Sequence, residues 1–404
     1  MGAAPASAGS LQKNVDFWIQ IYTQYSSHQG LIFDSKYIDH IYETIEFPTS
    51  PEGNSKVVKR AKKKWHDLLL SVHIKEKTPG KMSADELRLY QLYRDVQESD
   101  KFLKAAFRDR IRFQLGQSDH FKQGLYDSGR YLPIMESIFK SEGLPLELTR
   151  LPFVESSFNL EARSKVGASG VWQFMRTTGR QFLKMTAAID ERNDPIRATE
   201  AAAKLLKLNF ETLKTWPLAV TAYNHGRSGM QRAVRKVASD DLEKIVDQYS
   251  ERRFGFASRN FFSELLAAVE VERNSTMYFG KIERAKPFDA IEVKIPNFIE
   301  IRVLIQQLKI DPWVLKSLNP ALSDAVFSGR LLLPAGTILR IPTAPGQNKG
   351  IALKQFWDAY DLIPIMSKMV FQRGFHVLNW DCRGIGVRKN YVCKKDSAES
   401  TRRK

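Results

Sequence analysis

The stretch LPFVESSFNLEARSKVGASGVWQFM (Leu151–Met175) places one acidic residue among apolar neighbours and follows it with small residues. Glu155 lies beside Phe153 and Val154 in sequence, and a carboxylate that packs against such residues is poorly solvated. Desolvation raises the pKa of the carboxyl, which is how an enzyme keeps a general acid protonated near neutral pH. Because Pro152 disturbs a regular helix, we expect Glu155 near a helix end, facing a cleft.

The residues that follow favour a ligand cleft over the alternative, an exposed glutamate at a helix terminus. GASG (Gly167–Gly170) has little side chain and lets a bulky ligand approach the backbone, and WQFM (Trp172–Met175) adds one amide and three large apolar side chains. Further on, AVTAYNHG places Tyr223 and Asn224 near a helix end. The alternative for Tyr223 is a core tyrosine with a satisfied hydroxyl. A few polar groups on apolar walls are typical of a ligand site.

The charge of the chain favours an anionic partner. Its 404 residues carry a formal net charge of +17, with a sequence pI near 9.7. Nucleic acid, an acidic membrane face and an acidic polymer are the candidate partners. The densest basic cluster, KVVKRAKKKWHD (Lys56–Asp67), continues into an apolar pattern typical of an ordinary helix. A nucleic-acid-binding protein explains the charge but not the motifs above, so no nucleic-acid partner is expected.

Cysteine and histidine usage gives no indication of a metal site. Only Cys382 and Cys393 are present, without a CxxC pair or paired histidines at ligand spacing. The two cysteines form either one disulfide or two free thiols. No apolar run approaches the roughly 18 residues of a membrane span, which predicts a soluble chain. The small residues Ala6–Ala8 resemble the end of an export signal, and a flexible tail is the alternative.

Pattern changes along the chain predict a mainly α protein in four parts. Helical spacing of aromatic and aliphatic residues characterises the first two parts, alternation appears after Lys286, and the last part is aromatic and Gly-rich. The expected parts are a helical N-terminal region at 1–122, an all-α domain at 123–286, a small β-α-α-β unit at 287–343, and a C-terminal segment without an assigned fold at 351–404.

The motif series ESSFN, ARSKVGASGVWQFMRTTGRQF, DPIRATEAA and AVTAYNHG resembles the lysozyme-like catalytic domain of bacterial lytic transglycosylases, in particular a membrane-bound branch. The resemblance covers about residues 124–272, and the order and spacing of the four motifs make it specific. It implies that Glu155 is the catalytic acid and base. The substrate-binding residues that it implies are Ser156, Gln173, Phe174, Tyr223 and Asn224. The tyrosine is expected to contact the glutamate, while Arg176 and His225 depart from the usual pattern.

The resemblance also implies the reaction. One carboxyl is enough where the substrate assists, and the recognised motifs contain no second acid like Glu155. Asp190, Glu191 and Asp194 are predicted to be capping or surface groups. Glu155 would protonate the glycosidic oxygen and then deprotonate the C6 hydroxyl, which gives a 1,6-anhydro sugar without a metal or cofactor. The expected partner is peptidoglycan, acted on by an exported, monomeric protein in the periplasm or at the cell envelope.

Residues 288–342 resemble a peptidoglycan-binding LysM module, although the usual GDTL opening is replaced by IPNFIEI. A glycan binder and a purely structural β-α-α-β appendage both remain open for this part. For the whole chain, the alternatives to a transglycosylase are a true lysozyme, which transfers the sugar to water, and a non-catalytic protein that binds the cell wall.

Overall fold

The computed structural model describes residues 11–47, 55–361 and 363, together with the backbone of 380–383 and 392–395. The chain divides into two compact units. The first unit contains the residues up to Leu183 and the segment Pro195–Pro287. The second contains Lys184–Asp194 and the chain from Phe288 onward.

The first unit is mainly helical, which confirms the predicted fold class. Its helices, in chain order, are α1 Gln12–Thr23, α2 Ser55–Lys75, α3 Ala84–Leu92, α4 Lys101–Ala105, α5 Ser118–Ser128, α6 Leu132–Ser141, α7 Leu151–Ser156, α8 Arg176–Gly179, α9 Pro195–Leu213, α10 Trp216–His225, α11 Arg227–Val237, α12 Leu242–Gln248, α13 Phe256–Arg273 and α14 Ser275–Phe279. Several helix ends coincide with residues that favour the start or the end of a helix. Helix α6 is followed by Gly143 at φ +69°, α9 begins at Pro195, and α10 is followed by Gly226 at φ +88°.

The N-terminal region differs from the expected all-helical arrangement because it contains a sheet. Strands β1 Gln29–Asp34, β2 Ile41–Glu46 and β3 Ile111–Leu115 form an antiparallel sheet in the order β2-β1-β3. Five of the six residues of β1 are buried. A short strand without alternation of buried and exposed positions cannot be told from a buried helix segment by its period, which explains the difference.

A buried polar network holds the sheet to the helices beside it. Asp34, at the end of β1, is fully buried and accepts a hydrogen bond from Arg110 Nε at 2.6 Å. The Tyr93 hydroxyl donates to the same carboxylate at 2.5 Å and lies 2.5 Å from the Tyr42 hydroxyl. Glu98 adds a second carboxylate 3.4 Å from Arg110 Nη1. The charge of Arg110 is therefore balanced inside the protein.

Helix α1 belongs to the core that also contains the helices of the predicted catalytic domain. It packs along α13, and the indole of Trp18 donates to Asn260 Oδ1 at 3.3 Å. Trp18 and Phe17 are buried in the same apolar cluster as Leu151 and Phe153 of α7. The N-terminal helix is therefore part of the framework that positions α7.

The second unit has the expected β-α-α-β order with one additional short helix. Its elements are β4 Ala290–Lys294, α15 Ile301–Leu308, α16 Pro312–Leu318, α17 Asp324–Phe327, β5 Ile338–Pro342 and α18 Lys349–Asp361. The two strands pair antiparallel around a separate apolar core. Asp311 accepts from the backbone N–H of Trp313 at 2.7 Å and so caps α16.

A loop from the middle of the sequence completes this second unit. Residues 184–194 join it through backbone hydrogen bonds, from Asp190 N to Ala321 O at 2.8 Å and from Ser323 N to Ala188 O at 2.9 Å. Ile189 is 3% exposed and lies in the apolar core of the unit. The second unit is therefore not contiguous in sequence.

The three acidic residues of this loop differ in environment. Asp190 accepts from the backbone N–H of Arg192 at 3.3 Å, which agrees with the predicted capping role. Glu191 accepts from the backbone N–H of Lys184 at 2.6 Å. Asp194 directly precedes α9, is buried rather than on the surface, and pairs with Arg340 Nη1 at 2.7 Å. The sequence analysis did not predict this ion pair, because Arg340 lies far along the chain.

The C-terminal segment contains two further strands, β6 Trp380–Arg383 and β7 Val392–Lys395, which pair antiparallel. Their register places Cys382 opposite Cys393. The side chains of both cysteines lie outside the described residues, so one disulfide and two free thiols both remain predictions. Ala6–Ala8, for which the sequence predicts either the end of an export signal or a flexible tail, also lie outside the described part of the chain.

Candidate active site

Glu155 is the penultimate residue of a very short helix. Helix α7 begins after a 3₁₀ turn, Leu146–Arg150, with Pro152 in its first turn. It ends because Ser157 and Phe158 adopt left-handed conformations, with φ +50° and +58°. Such conformations cannot continue a right-handed helix. The prediction that Glu155 lies near a helix end is confirmed.

The carboxyl of Glu155 is surrounded by apolar packing. Phe153 is fully buried, and its ring stacks on Phe121 with centroids 4.7 Å apart. Glu155 itself is partly exposed, yet burial raises the pKa of its carboxyl to about 8. Within the described residues, this carboxyl has no hydrogen-bond or ion-pair partner. At neutral pH the group therefore carries a proton, as a general acid must.

The start of α7 is fixed by charged groups. Arg150 pairs with Glu136 of α6 and with Glu272 of α13, the latter at 3.0 Å, and Arg284 reaches the other oxygen of Glu272 at 2.6 Å. Glu272 is 8% exposed. Because these pairs join three helices at the point where α7 begins, they set the position from which Glu155 projects.

Two of the residues implied by the resemblance hold the loop beside Glu155. The Ser156 hydroxyl lies 3.0 Å from Val171 O and 3.2 Å from Pro152 O, so its proton is used within the protein. The Gln173 amide donates to Gly170 O at 2.8 Å and to Ala162 O at 3.0 Å. Both side chains therefore shape the loop at 157–175 through its backbone.

The glycines of this loop are required by its turns. Gly167 and Gly170 have φ values of +89° and +78°, where L side chains are strained. A Cβ at Gly167 would meet no atom within 4 Å, so the backbone there faces open space. This agrees with the expectation that a ligand can approach the chain at this point.

Tyr223 lies beside the loop and near the carboxyl. Its hydroxyl donates to Trp172 O at 2.8 Å. The ring of Phe174, which is 2% exposed, packs edge-on against it with centroids 6.0 Å apart. Burial, and then the charge on Glu155, raises the pKa of Tyr223. Tyr223 is thus close enough to Glu155 for the two groups to interact electrostatically. The Tyr223 hydroxyl, however, donates its hydrogen bond to the loop backbone.

Asn224, the next residue, is exposed at the end of α10. Its Oδ1 accepts from the Ser258 hydroxyl at 2.8 Å. Phe174, by contrast, is buried. The structure therefore brings together Glu155, Tyr223 and the loop with Ser156 and Gln173.

The sequence analysis missed a second carboxyl in this region, Glu264 of α13. It is half-buried, and burial, followed by the charge on Glu155, raises its pKa to about 8. The available signal was its place in NFFSELLAAVEVE, where one acid interrupts a run of apolar residues. The residue lies more than a hundred positions from Glu155, and only the packing of α13 on α7 relates the two.

No group of three or more His, Cys, Asp or Glu side chains in the described part of the chain is arranged to hold a metal ion. The chemistry available at this site is therefore that of carboxyl, phenol and amide groups. A protonated carboxyl beside an open loop can donate a proton to a bound oxygen and later take one back.

A family model decides which kind of domain carries this arrangement. The model described as the transglycosylase SLT domain matches residues 134–246. Residues 134–246 are therefore similar to an SLT domain. The match includes Glu155, the Gly-rich loop and Tyr223, and the predicted resemblance to lytic transglycosylases is confirmed.

Curated relatives agree with the SLT domain. Membrane-bound lytic murein transglycosylase D of Escherichia coli strain K12 is 28% identical over 218 residues, which is 52% of this chain and 48% of the relative. A putative tributyltin chloride resistance protein of Alteromonas sp. strain M-1 is 30% identical over 109 residues, 26% of this chain and 53% of the relative. The chain spans about half the length of the curated relatives it matches.

Among solved structures, the lytic transglycosylase Slt of Pseudomonas aeruginosa, in an inactive variant, is 17% identical. The match covers 52% of this chain and 34% of the other, with a TM-score of 0.32. This overlap is too low to support an argument about the fold, so the assignment of the SLT domain rests on sequence.

Proposed function

We propose that this protein is a peptidoglycan lytic transglycosylase. It cleaves the β-1,4 bond between N-acetylmuramic acid and N-acetylglucosamine and leaves 1,6-anhydro ends. The observation that supports this most directly is Glu155, a half-buried carboxyl in apolar packing, whose pKa is raised to about 8 and which lies within the residues that match the SLT domain. The E. coli relative is named a murein transglycosylase, and the basic charge of the chain suits a polymer that carries carboxylates.

The proposed mechanism uses one carboxyl twice. Glu155 gives its proton to the glycosidic oxygen as the bond from that oxygen to C1 breaks, while the N-acetyl group of the muramic acid stabilises the cation-like carbon. The ionised Glu155 then takes the proton of the C6 hydroxyl, whose oxygen bonds to C1. Glu155 ends the cycle protonated, as it began, and no water molecule takes part in the reaction.

The surrounding residues have distinct proposed roles. Tyr223 and the exposed Asn224 contact the sugar near the acid. Ser156 and Gln173, whose donors bind the backbone, keep the loop in a shape that a glycan strand can lie against. Phe174 forms the apolar wall behind Tyr223.

Glu264 requires a correction to the argument for an anhydro product. The sequence argument used the lack of a second carboxylate to activate water, and the structure contains such a group. However, a carboxyl with a pKa of about 8 is protonated at neutral pH, and a protonated carboxyl cannot accept the proton of water. The transglycosylase therefore remains favoured over a lysozyme.

We expect purified sacculi treated with the protein to release muropeptides that end in 1,6-anhydro-N-acetylmuramic acid. Mass spectrometry measures this directly, because an anhydro end is one water lighter than a reducing end. A lysozyme digest of the same sacculi provides the control for reducing ends. Products with predominantly reducing ends would contradict the proposal and support the hydrolase.

We place the protein at the bacterial cell envelope, exported to the periplasm, because its proposed substrate lies there and the E. coli relative is described as membrane-bound. Within the residues that the structure describes, no helix has both the length and the apolar character to cross a bilayer. Action as a monomer is part of the same proposal.

The second unit is proposed to bind glycan strands as a LysM-like module. Trp313, at the start of α16, is 75% exposed, and Phe298 is 53% exposed. Exposed aromatic rings are suited to stack on sugars, because they bury much area at low entropic loss. Their exposure supports a binding surface over a purely structural appendage.

We expect Trp313→Ala to weaken binding to sacculi by about tenfold, the loss of roughly 1.4 kcal/mol, without changing cleavage of short soluble glycans. Co-sedimentation measures the first effect and product chromatography the second. Ile351→Ala, which removes an exposed aliphatic side chain of α18, is the control. Unchanged sedimentation of the Trp313 variant would contradict a binding role. A deletion after Lys286 is a poorer test, because it removes Arg340, the partner of Asp194.

A further inference from the structure

A second carboxyl lies on the helix that packs beside α7. Glu264 is on α13, which contacts both α7 and α10. One turn earlier on the same helix, Phe261 stacks on Tyr223 with ring centroids 6.3 Å apart and an interplanar angle of 5°. Residues three apart share a helix face, so Glu264 lies on the face of α13 that is turned toward the active-site tyrosine.

Neither Glu155 nor Glu264 has a partner that would offset the cost of burying a carboxyl. Within the described residues, Glu264 and Glu155 have no hydrogen-bond or ion-pair partner. A half-buried carboxyl without a partner lowers stability, so a structural role does not explain why a glutamate is found at position 264. A leucine or methionine would suit the apolar surroundings better.

The two carboxyls interact electrostatically. The charge on Glu155 raises the pKa of Glu264 beyond the effect of burial. Tyr22 of α1, a third group on this core, has a pKa raised by burial and then by the charges on Glu264 and Glu155. Two like charges at close range in a poorly solvated place cannot both form readily, and such groups lose their protons as a pair.

The other titratable groups that face this region do not supply a neutralising cation. Helix α10 presents Tyr223, and α14 presents Tyr278, which bonds to Glu270. The guanidinium groups that meet α13 from the preceding 3₁₀ turn and from the segment after α14 are those of Arg150 and Arg284. Both bind Glu272, about two turns beyond Glu264.

We propose that Glu264 is a positioning residue for bond cleavage: its carboxyl and that of Glu155 form a pair that accepts only one negative charge, so that Glu155 keeps its proton until the glycosidic oxygen takes it. This inference rests on the proposed transglycosylase function. In the first step Glu155 gives its proton to the glycosidic oxygen, and the single negative charge of the pair then lies on Glu155. In the second step Glu155 regains a proton from the C6 hydroxyl. Glu264 exchanges no atom with the substrate.

The pairing has a distinct pH signature. Above about pH 8 the single charge of the wild-type pair is shared, so a fraction of Glu155 stays protonated and active. In Glu264→Gln, Glu155 ionises alone. We expect the alkaline limb of the kcat profile, measured on soluble glycan oligomers, to shift to lower pH by on the order of one unit. At pH 6, where Glu155 is protonated in both proteins, the rates should agree within about threefold.

Glu270→Gln is the matched control, because Glu270 is on the same helix and bonds to Asn274. This variant should keep the wild-type profile. An unshifted limb in Glu264→Gln, or a rate reduced by the same factor at every pH, would overturn the pairing. Reducing-end products that disappear in Glu264→Gln would also overturn it, since Glu264 would then be a base that activates water.

A titration that needs no catalysis separates this inference from the proposed function. Carboxyl-carbon NMR of glutamate-labelled protein reports the protonation of Glu155, whose signal is identified by its loss in Glu155→Gln. A lower titration midpoint of that signal in Glu264→Gln supports the pairing, and an unchanged midpoint refutes it. If the wild-type protein released no anhydro product, the proposed function would fail, while this titration would still decide the pairing.

Discussion

The Glu155→Gln variant is expected to lose cleavage of peptidoglycan, with a fall in rate of at least about 10² to 10⁴. Glutamine has nearly the same shape, but it can neither donate a proton to the glycosidic oxygen nor remove one from the C6 hydroxyl. Release of soluble muropeptides from sacculi, followed over time, measures the loss. A variant that solubilised sacculi at a near wild-type rate would show that another group is the acid.

The same variant should remain folded, which separates lost chemistry from lost structure. Because the pKa of Glu155 is raised to about 8, the folded state holds a proton that the unfolded state releases near pH 4.5. The free energy of unfolding of the wild-type protein therefore falls as the pH rises between these values, by linkage. Glutamine does not ionise, so the variant should equal or exceed the wild type in thermal stability, most clearly above pH 8. A lower stability there would contradict this account.

The largest loss of stability is expected for Asp34→Ala, about 3–5 kcal/mol, because it leaves the buried charge of Arg110 without its main partner. The Tyr93 hydroxyl loses its acceptor as well. Amide hydrogen exchange of β1 and β3, measured against denaturant, reports the free energy of opening this region. Asp39, an acidic residue close to Asp34 in sequence, pairs with the exposed Lys13.

Asp39→Ala is therefore the control, and it should cost no more than about 1 kcal/mol, as exposed ion pairs do. If Asp34→Ala lost as little as Asp39→Ala, the network would be dispensable. Both substitutions remove one carboxylate that faces one cation, but only Asp34 is buried and also accepts a hydrogen bond from Tyr93.

Local signals in the sequence predicted much of the active site. The apolar neighbours of Glu155 predicted its raised pKa, and Pro152 predicted its place near a helix end, because both effects act within a few residues. The ends of α6 and α10 also depend on local residues, because glycines adopt positive φ there. Tyr223 was predicted to lie near the carboxyl through the resemblance, since its distance along the chain gives no such information.

The features that the sequence did not predict depend on long-range packing. Glu264 becomes relevant only because α13 packs on α7. Strand β1 is buried along nearly its whole length, so it lacks the alternation that identifies a half-buried strand. Asp194 has a local alternative, the start of α9, that is more apparent in the sequence than its ion pair with Arg340.

The loop at 184–194 has a consequence for synthesis on the ribosome. The loop is synthesised long before β4 and β5. Ile189 therefore stays exposed until the residues that form the surrounding core have been synthesised. A nascent chain at this stage therefore exposes an apolar side chain that the folded protein buries. The same discontinuity bears on recombination between genes. An event that transferred only residues 288–342 would leave Arg340 without Asp194 and the module without Ile189 in its core, so the transferred segment is expected to be less stable than the complete second unit.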